Sequence, residues 1–86
     1  MAKRITHYSR FQYLYGLYSI LIALEYFESI EDYTECHCII KGIERNEKEL
    51  KCKFPKRIEY SDFDSLSPTQ RTIQKQNANK LIEYRF

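Results

Sequence analysis

The spacing of apolar residues divides the chain into three patterned stretches. From about Tyr8 to Ser29, Leu14, Leu17, Leu21 and Leu24 recur at i, i+3, i+7 and i+10, the spacing of one helix side, with no proline to interrupt them. This predicts a long N-terminal helix. A second stripe, Tyr15, Tyr18, Ile22 and Tyr26, runs beside the first and makes the helix apolar or aromatic around most of its circumference. Either the rest of the domain packs on both sides of it, or the tyrosine-rich stripe is a protein interface, where tyrosine is enriched. Glu25, Glu28, Glu31, Asp32 and Glu35 follow with no basic residue among them. Carboxylates are unfavourable at the negative end of a helix dipole, so the helix is expected to stop near Ser29.

The middle stretch, Thr34 to Phe54, reads as alternation. With a reversal around Glu44-Arg45-Asn46, and Asn46 in the left-handed conformation of short hairpin loops, Cys36 faces Phe54, Cys38 faces Cys52 and Ile40 faces Leu50. That register puts apolar residues on one face. His37, Ile39, Lys41, Glu49, Lys51 and Lys53 fall on the other, and Gly42-Ile43, which breaks the alternation, is assigned to a bulge. Pro55 marks a bend, after which Lys56 to Tyr60 reads as a third strand with Ile58 and Tyr60 on one face. "SDFDSL" is a loop. Ser67-Pro68-Thr69-Gln70 then combines an N-cap serine, proline at the first helical position and glutamine at the capping-box position. A C-terminal helix is predicted from there to about Tyr84, burying Ile73, Leu81 and Tyr84.

The expected fold is therefore α+β: an N-terminal helix, an antiparallel β-hairpin or three-stranded sheet and a C-terminal helix, in one globular domain over residues 1–86. The double-stranded RNA-binding domain has the same element order. That is a likeness of topology alone, because "SPTQRTIQK" offers only Arg71 and Lys75 where that domain carries a lysine cluster.

Hydrophobic residues at 43%, charged residues at 30%, and only two Gly and two Pro exclude a disordered or low-complexity chain. Three cysteines, an odd number, argue against a disulfide-stapled secreted domain and for reduced thiols in the cytoplasm. The apolar run from Tyr13 to Phe27 is shorter than the ~20 residues of a spanning helix and contains Glu25, so no membrane segment is expected.

The candidate chemistry centres on Cys36, Cys38, Cys52 and His37. Structural zinc takes four ligands, commonly from paired C-x2-C knuckles, whereas here one C-x-C accompanies an isolated cysteine and alternation sends His37 to the opposite face. Core thiols are preferred to a Cys38–Cys52 disulfide or a metal site. The chain has no G-x-S-x-G, P-loop, dinucleotide fingerprint or H-E-x-x-H. A non-enzymatic protein is expected, without metal, cofactor or small-molecule substrate.

The net charge of +2 neither demands nor excludes nucleic acid. The leading expectation is a small protein that binds a larger protein partner, or a copy of itself, through Tyr15, Tyr18, Ile22 and Tyr26. A chain of this kind suits accessory or inhibitory proteins of phages and mobile elements, inhibitors of host nucleases or defence complexes among them. The alternative is a nucleic-acid-binding module using Lys41, Lys51, Lys53, Arg57, Arg71 and Lys75. Lysines that protect a sheet edge would produce the same pattern.

Overall fold

Gly16 decides the course of the first half of the chain. Its backbone lies at φ 97° and ψ 165°, a region open to glycine and closed to residues with a Cβ. In the computed structural model, which describes residues 2–83, the expected long helix is two helices that meet there: α1 (Ala2–Tyr15) and α2 (Leu17–Ser29). Three more follow, α3 (Tyr33–Leu50), α4 (Tyr60–Asp64) and α5 (Pro68–Glu83). No strand occurs among the described residues. The fold is all-helical, and the α+β expectation is corrected, along with the likeness to the double-stranded RNA-binding domain that depended on it.

α2 ends at Ser29 in a turn that satisfies its last carbonyls. Glu31 takes the left-handed conformation, with φ 59°; its N–H donates to Glu28 O at 3.0 Å and the Asp32 N–H to Phe27 O at 2.9 Å. These two bonds form a Schellman motif. Asp32 then caps α3 by accepting from the Glu35 N–H at 3.4 Å, so the acidic run that stops one helix starts the next.

The predicted hairpin is the helix α3. Its buried positions are Glu35, Cys36, Cys38, Ile39, Gly42, Ile43, Asn46 and Glu47, a 3.6-residue period rather than a 2-residue one. Ile39, placed outward by the hairpin register, is fully buried, whereas Leu50, placed inward, is 51% exposed. The alternation was real but incidental. A helix over these residues also buries Ile43, which the strand register could only set aside in a bulge.

Gly42 is where α1 and α3 touch most closely: a Cβ there would lie 3.0 Å from Ser9 N and 3.1 Å from Ile5 O. Asn46, expected at an exposed turn, is fully buried. The Ser9 hydroxyl donates to its Oδ1, and its Nδ2 donates to Ser9 O at 3.1 Å and Gln12 Oε1 at 2.8 Å. Thr6 meets Arg45, Ser9 meets Asn46 and Tyr13 meets Glu49. The numbers rise together, so α1 and α3 run parallel.

Near the other end of this interface, Glu35 accepts from the Tyr8 hydroxyl and pairs with Arg4 at 2.5 Å. Burial, followed by the hydrogen bond to Glu35, pushes the Tyr8 hydroxyl pKa far above its ordinary value. The group is a structural tie.

Lys51, left-handed at φ 54°, ends α3. Residues 52–59 have no regular structure, and Tyr60 starts α4, so the third strand expected at 56–60 is absent. α5 begins at its cap, with the Gln70 N–H donating to Ser67 Oγ at 3.2 Å. It turns Ala78 and Leu81 into the core and leaves Ile73 39% exposed; Tyr84 lies outside the described residues. Ser19 Oγ donates to Gln74 Oε1 at 2.5 Å, tying α5 to α2. No described helix is long and apolar enough to cross a membrane.

Candidate binding groove along α2

α2 buries Ser19, Ile20, Leu21, Ala23, Leu24 and Phe27. Ile22, Glu25, Tyr26 and Ser29, at i, i+3, i+4 and i+7, are left as a stripe along its outer edge. This stripe forms one wall of a groove. The opposite wall is Ile58 of the irregular segment after α3 and Tyr60 at the start of α4, both set against α2, while Phe63 of α4 packs on Tyr18 with ring centroids 5.9 Å apart.

Two depressions result. One, of about 310 Å³, lies among Leu21, Leu24, Glu28, Lys56 and Arg57. The other, of about 300 Å³, is more apolar and lies among Ile22, Tyr26, Ser29, Phe63 and Lys75. They share Glu25, Ile58 and Tyr60, and the Tyr60 hydroxyl donates to Glu25 across the boundary. That bond, aided by desolvation, raises the Tyr60 pKa. Tyr26 and Tyr60 stay 41% and 55% exposed, as aromatic edges of the groove.

Glu47 holds the irregular segment in place. Its carboxylate, buried at the base of the segment, accepts from the Phe54 N–H and from Lys56 Nζ, both at 2.6 Å. The bond from Lys56, and then that from Phe54, hold its pKa below the ordinary carboxylate value. A carboxyl whose folded pKa is depressed contributes stability above its unfolded pKa and loses it as pH falls through the folded value. The expected result is a local loosening of residues 54–60 in acid, read as a lower protection factor of the Phe54 amide, its rate relative to the intrinsic rate at the same pH, while the α3 amides stay protected. Glu47→Ala produces the same loss of protection at neutral pH. Unchanged Phe54 protection in that variant would show that the segment is held by something else.

Of the residues singled out from the sequence, Ile22 and Tyr26 line the groove, and Tyr18 sits beside it against Phe63. Tyr15 does not join them. The break at Gly16 leaves it on α1, tilted 41° against Phe11 with ring centroids 4.8 Å apart and lining a separate depression with His7, Lys80 and Leu81.

The six basic residues also divide. Arg57 and Lys75 stand at the groove rim, whereas Lys41, Lys51 and Lys53 lie along α3 and its end. Arg71 is half-buried on α5, and its Nε is buried without a hydrogen-bond partner among the described residues. Glu25, Ile58, Tyr60 and Phe63 were not selected as site residues. The i+3 spacing from Ile22 pointed to Glu25, but Ile58 and Tyr60 were assigned to a strand.

The cysteines do not form a reactive set. Cys36 and Cys38 are buried, Cys52 is exposed and all three are free. This corrects the inward placement of Cys52 and its facing of Cys38, both consequences of the hairpin. Burial raises the Cys36 and Cys38 pKa values, which favours the thiol over the nucleophilic thiolate. His7 has its pKa lowered by burial. Among the described residues no three His, Cys, Asp or Glu side chains gather as metal ligands.

The groove lining contains neither cysteine nor histidine. It offers an apolar floor, two aromatic edges and rim charges of both signs. Comparison of the chain with protein-family models, curated proteins and solved structures gives no match.

Proposed function

We propose that this chain is a non-catalytic binding protein whose α2 groove receives an amphipathic segment of a larger protein partner. One observation carries the reading. Ile22, Ile58, Phe63 and the half-exposed Tyr26 and Tyr60 meet in one groove, while Glu28, Arg57 and Lys75 on its rim make no ion pair among the described residues. Such a rim asks for a segment with an apolar stripe flanked by charges of both signs. Aromatic anchors set in a pocket and surrounded by polar groups are where binding energy concentrates at protein interfaces.

A photo-crosslinking residue placed at position 26 or 60, with exposed Gln76 as the control position, tests this. The expected result is one defined adduct with another protein from 26 and 60 and none from 76. With that partner purified, Tyr26→Ala and Tyr60→Ala each weaken binding by about 10-fold or more, as truncation of an interface anchor does. Adducts formed equally from all three positions, or adducts of the chain with itself, would contradict a dedicated groove for a larger partner.

A further inference from the structure

The face opposite in character to the groove is built by α1 and α3 together. On α1, Lys3, Thr6, Arg10 and Tyr13 follow i, i+3, i+7 and i+10, and so lie on one line of the helix. That line borders α3, because Thr6 Oγ1 accepts from Arg45 at 2.9 Å and the Tyr13 hydroxyl donates to Glu49 at 2.9 Å. On α3, Lys41, Glu44, Arg45 and Lys48 follow i, i+3, i+4 and i+7 and border a depression of about 290 Å³. A second depression, of about 300 Å³, continues past Lys48 to Lys51 and Lys53.

Lys3, Arg10, Lys41, Arg45, Lys48 and Lys51 are all exposed. The carboxylates among them are Glu44, which pairs with Lys41 at 3.5 Å, Glu49, which accepts from Tyr13, and Glu47 in the second depression, which is buried and paired with Lys56 at 2.6 Å. The face thus holds a larger positive excess than the whole chain, whose net charge is +2. Helix dipoles explain part of it. Lys48 and Lys51 sit at the C-terminal end of α3, where cations are favoured, but Lys3 is in the first turn of α1, where they are not, and Lys41 is mid-helix. At a rise of 1.5 Å per residue, Lys41 to Lys48 spans ~10 Å, about the axial length of three phosphates on one strand.

We infer that the α1/α3 face binds the phosphate backbone of a nucleic acid. Contacts of this kind carry no base information, so the binding is independent of sequence. It leaves the α2 groove free, and a nucleic acid and a protein partner are held on different faces.

Fluorescence anisotropy with two unrelated DNA duplexes and one single-stranded RNA, each about 20 nucleotides long, over a salt series starting near 20 mM tests this. With four to six phosphate contacts, the log–log slope of affinity against salt on duplex DNA is expected between about −3.6 and −5.4, the same for both sequences. The double variant Lys41→Gln/Lys48→Gln makes the slope shallower by about 1.8 and weakens binding at about 50 mM salt by 10-fold or more. Arg57→Gln/Lys75→Gln, on the groove rim, leaves both unchanged. Whichever of DNA and RNA binds more tightly identifies the source of the backbone. Three results overturn the inference: no binding of any of the three probes at the lowest salt, a slope unaffected by the α3 double variant, or an equal loss from the groove double variant. Circular dichroism of each variant confirms that the helices persist, and none of these outcomes bears on the crosslinking result at positions 26 and 60.

Discussion

A Gly42→Val variant is expected to unfold about 12–24 °C below the parent chain, a loss of ~3 kcal/mol for a domain of this size. The first added carbon already lies 3.0 Å from Ser9 N, 3.1 Å from Ile5 O and 3.1 Å from Tyr8 Cβ. Two of those three atoms are backbone, so a rotamer change cannot relieve the contact; α1 has to move as a unit. Valine's two methyl groups then enlarge the conflict. Gly42→Ala is milder, because about 1 kcal/mol of helix propensity offsets an overpacking cost of about 1–3 kcal/mol. At a bulged hairpin position valine would suit the strand and leave the melting temperature unchanged or higher. Thermal unfolding followed at 222 nm separates the two outcomes, and a valine variant as stable as the parent would contradict the parallel packing of α1 on α3.

The second large effect is expected from Asn46→Asp, a change of almost no volume. Asn46 is fully buried, and its Nδ2 donates to Ser9 O and Gln12 Oε1. A carboxylate there turns both donors into acceptors, one of them facing a backbone carbonyl, and places a charge away from water. The Gln12 amide can turn to donate, so one contact is recoverable. The remaining cost is ~2–4 kcal/mol at neutral pH. That is a large fraction of the ~4–13 kcal/mol expected for the whole chain.

The pH dependence has a definite sign. Burial raises the pKa of the introduced carboxyl in the folded state, so the penalty is greatest above that raised value and shrinks as pH falls toward the unfolded value near ~4. Urea unfolding at pH 7 and pH 4.5 reads this as a gap from the parent that narrows in acid. A solvent-exposed turn would accept the substitution at either pH.

What the sequence made legible was local. Ser67-Pro68-Thr69-Gln70 marked the start of α5 through a cap that needs only four residues, and the acidic run after Glu25 marked the end of α2. The failure at Thr34 to Phe54 had a specific cause. Cysteine and isoleucine at even positions produced a clean strand register, while a helical period in the same residues required Gly42, Glu35, Asn46 and Glu47 to be buried. Only tertiary contacts supply a reason to bury them: against α1, Asn46 and Gly42 face Ser9 and Glu35 faces Tyr8 and Arg4, while Glu47 is held by Phe54 and Lys56.

Gly16 was the other missed signal. An uninterrupted leucine spacing on both sides hid a residue whose backbone turns the chain and removes Tyr15 from the stripe it was grouped with. The groove was legible in part. Ile22 and Tyr26 stand on a helix edge that periodicity identifies, but the wall opposite them depends on Glu47 drawing Phe54 and Lys56 inward. No local pattern announces a contact between a helix and a loop that follows it.

The claim that binding occurs along α2 is tested most directly by following backbone amide shifts of the labelled chain as the crosslinked partner, once purified, is added. Perturbations concentrated at residues 22–29 and 56–63, and reduced by Tyr26→Ala, are the expected result. Shifts confined to Lys41 through Lys51, with Ile22, Tyr26, Ile58 and Tyr60 unmoved, would contradict it.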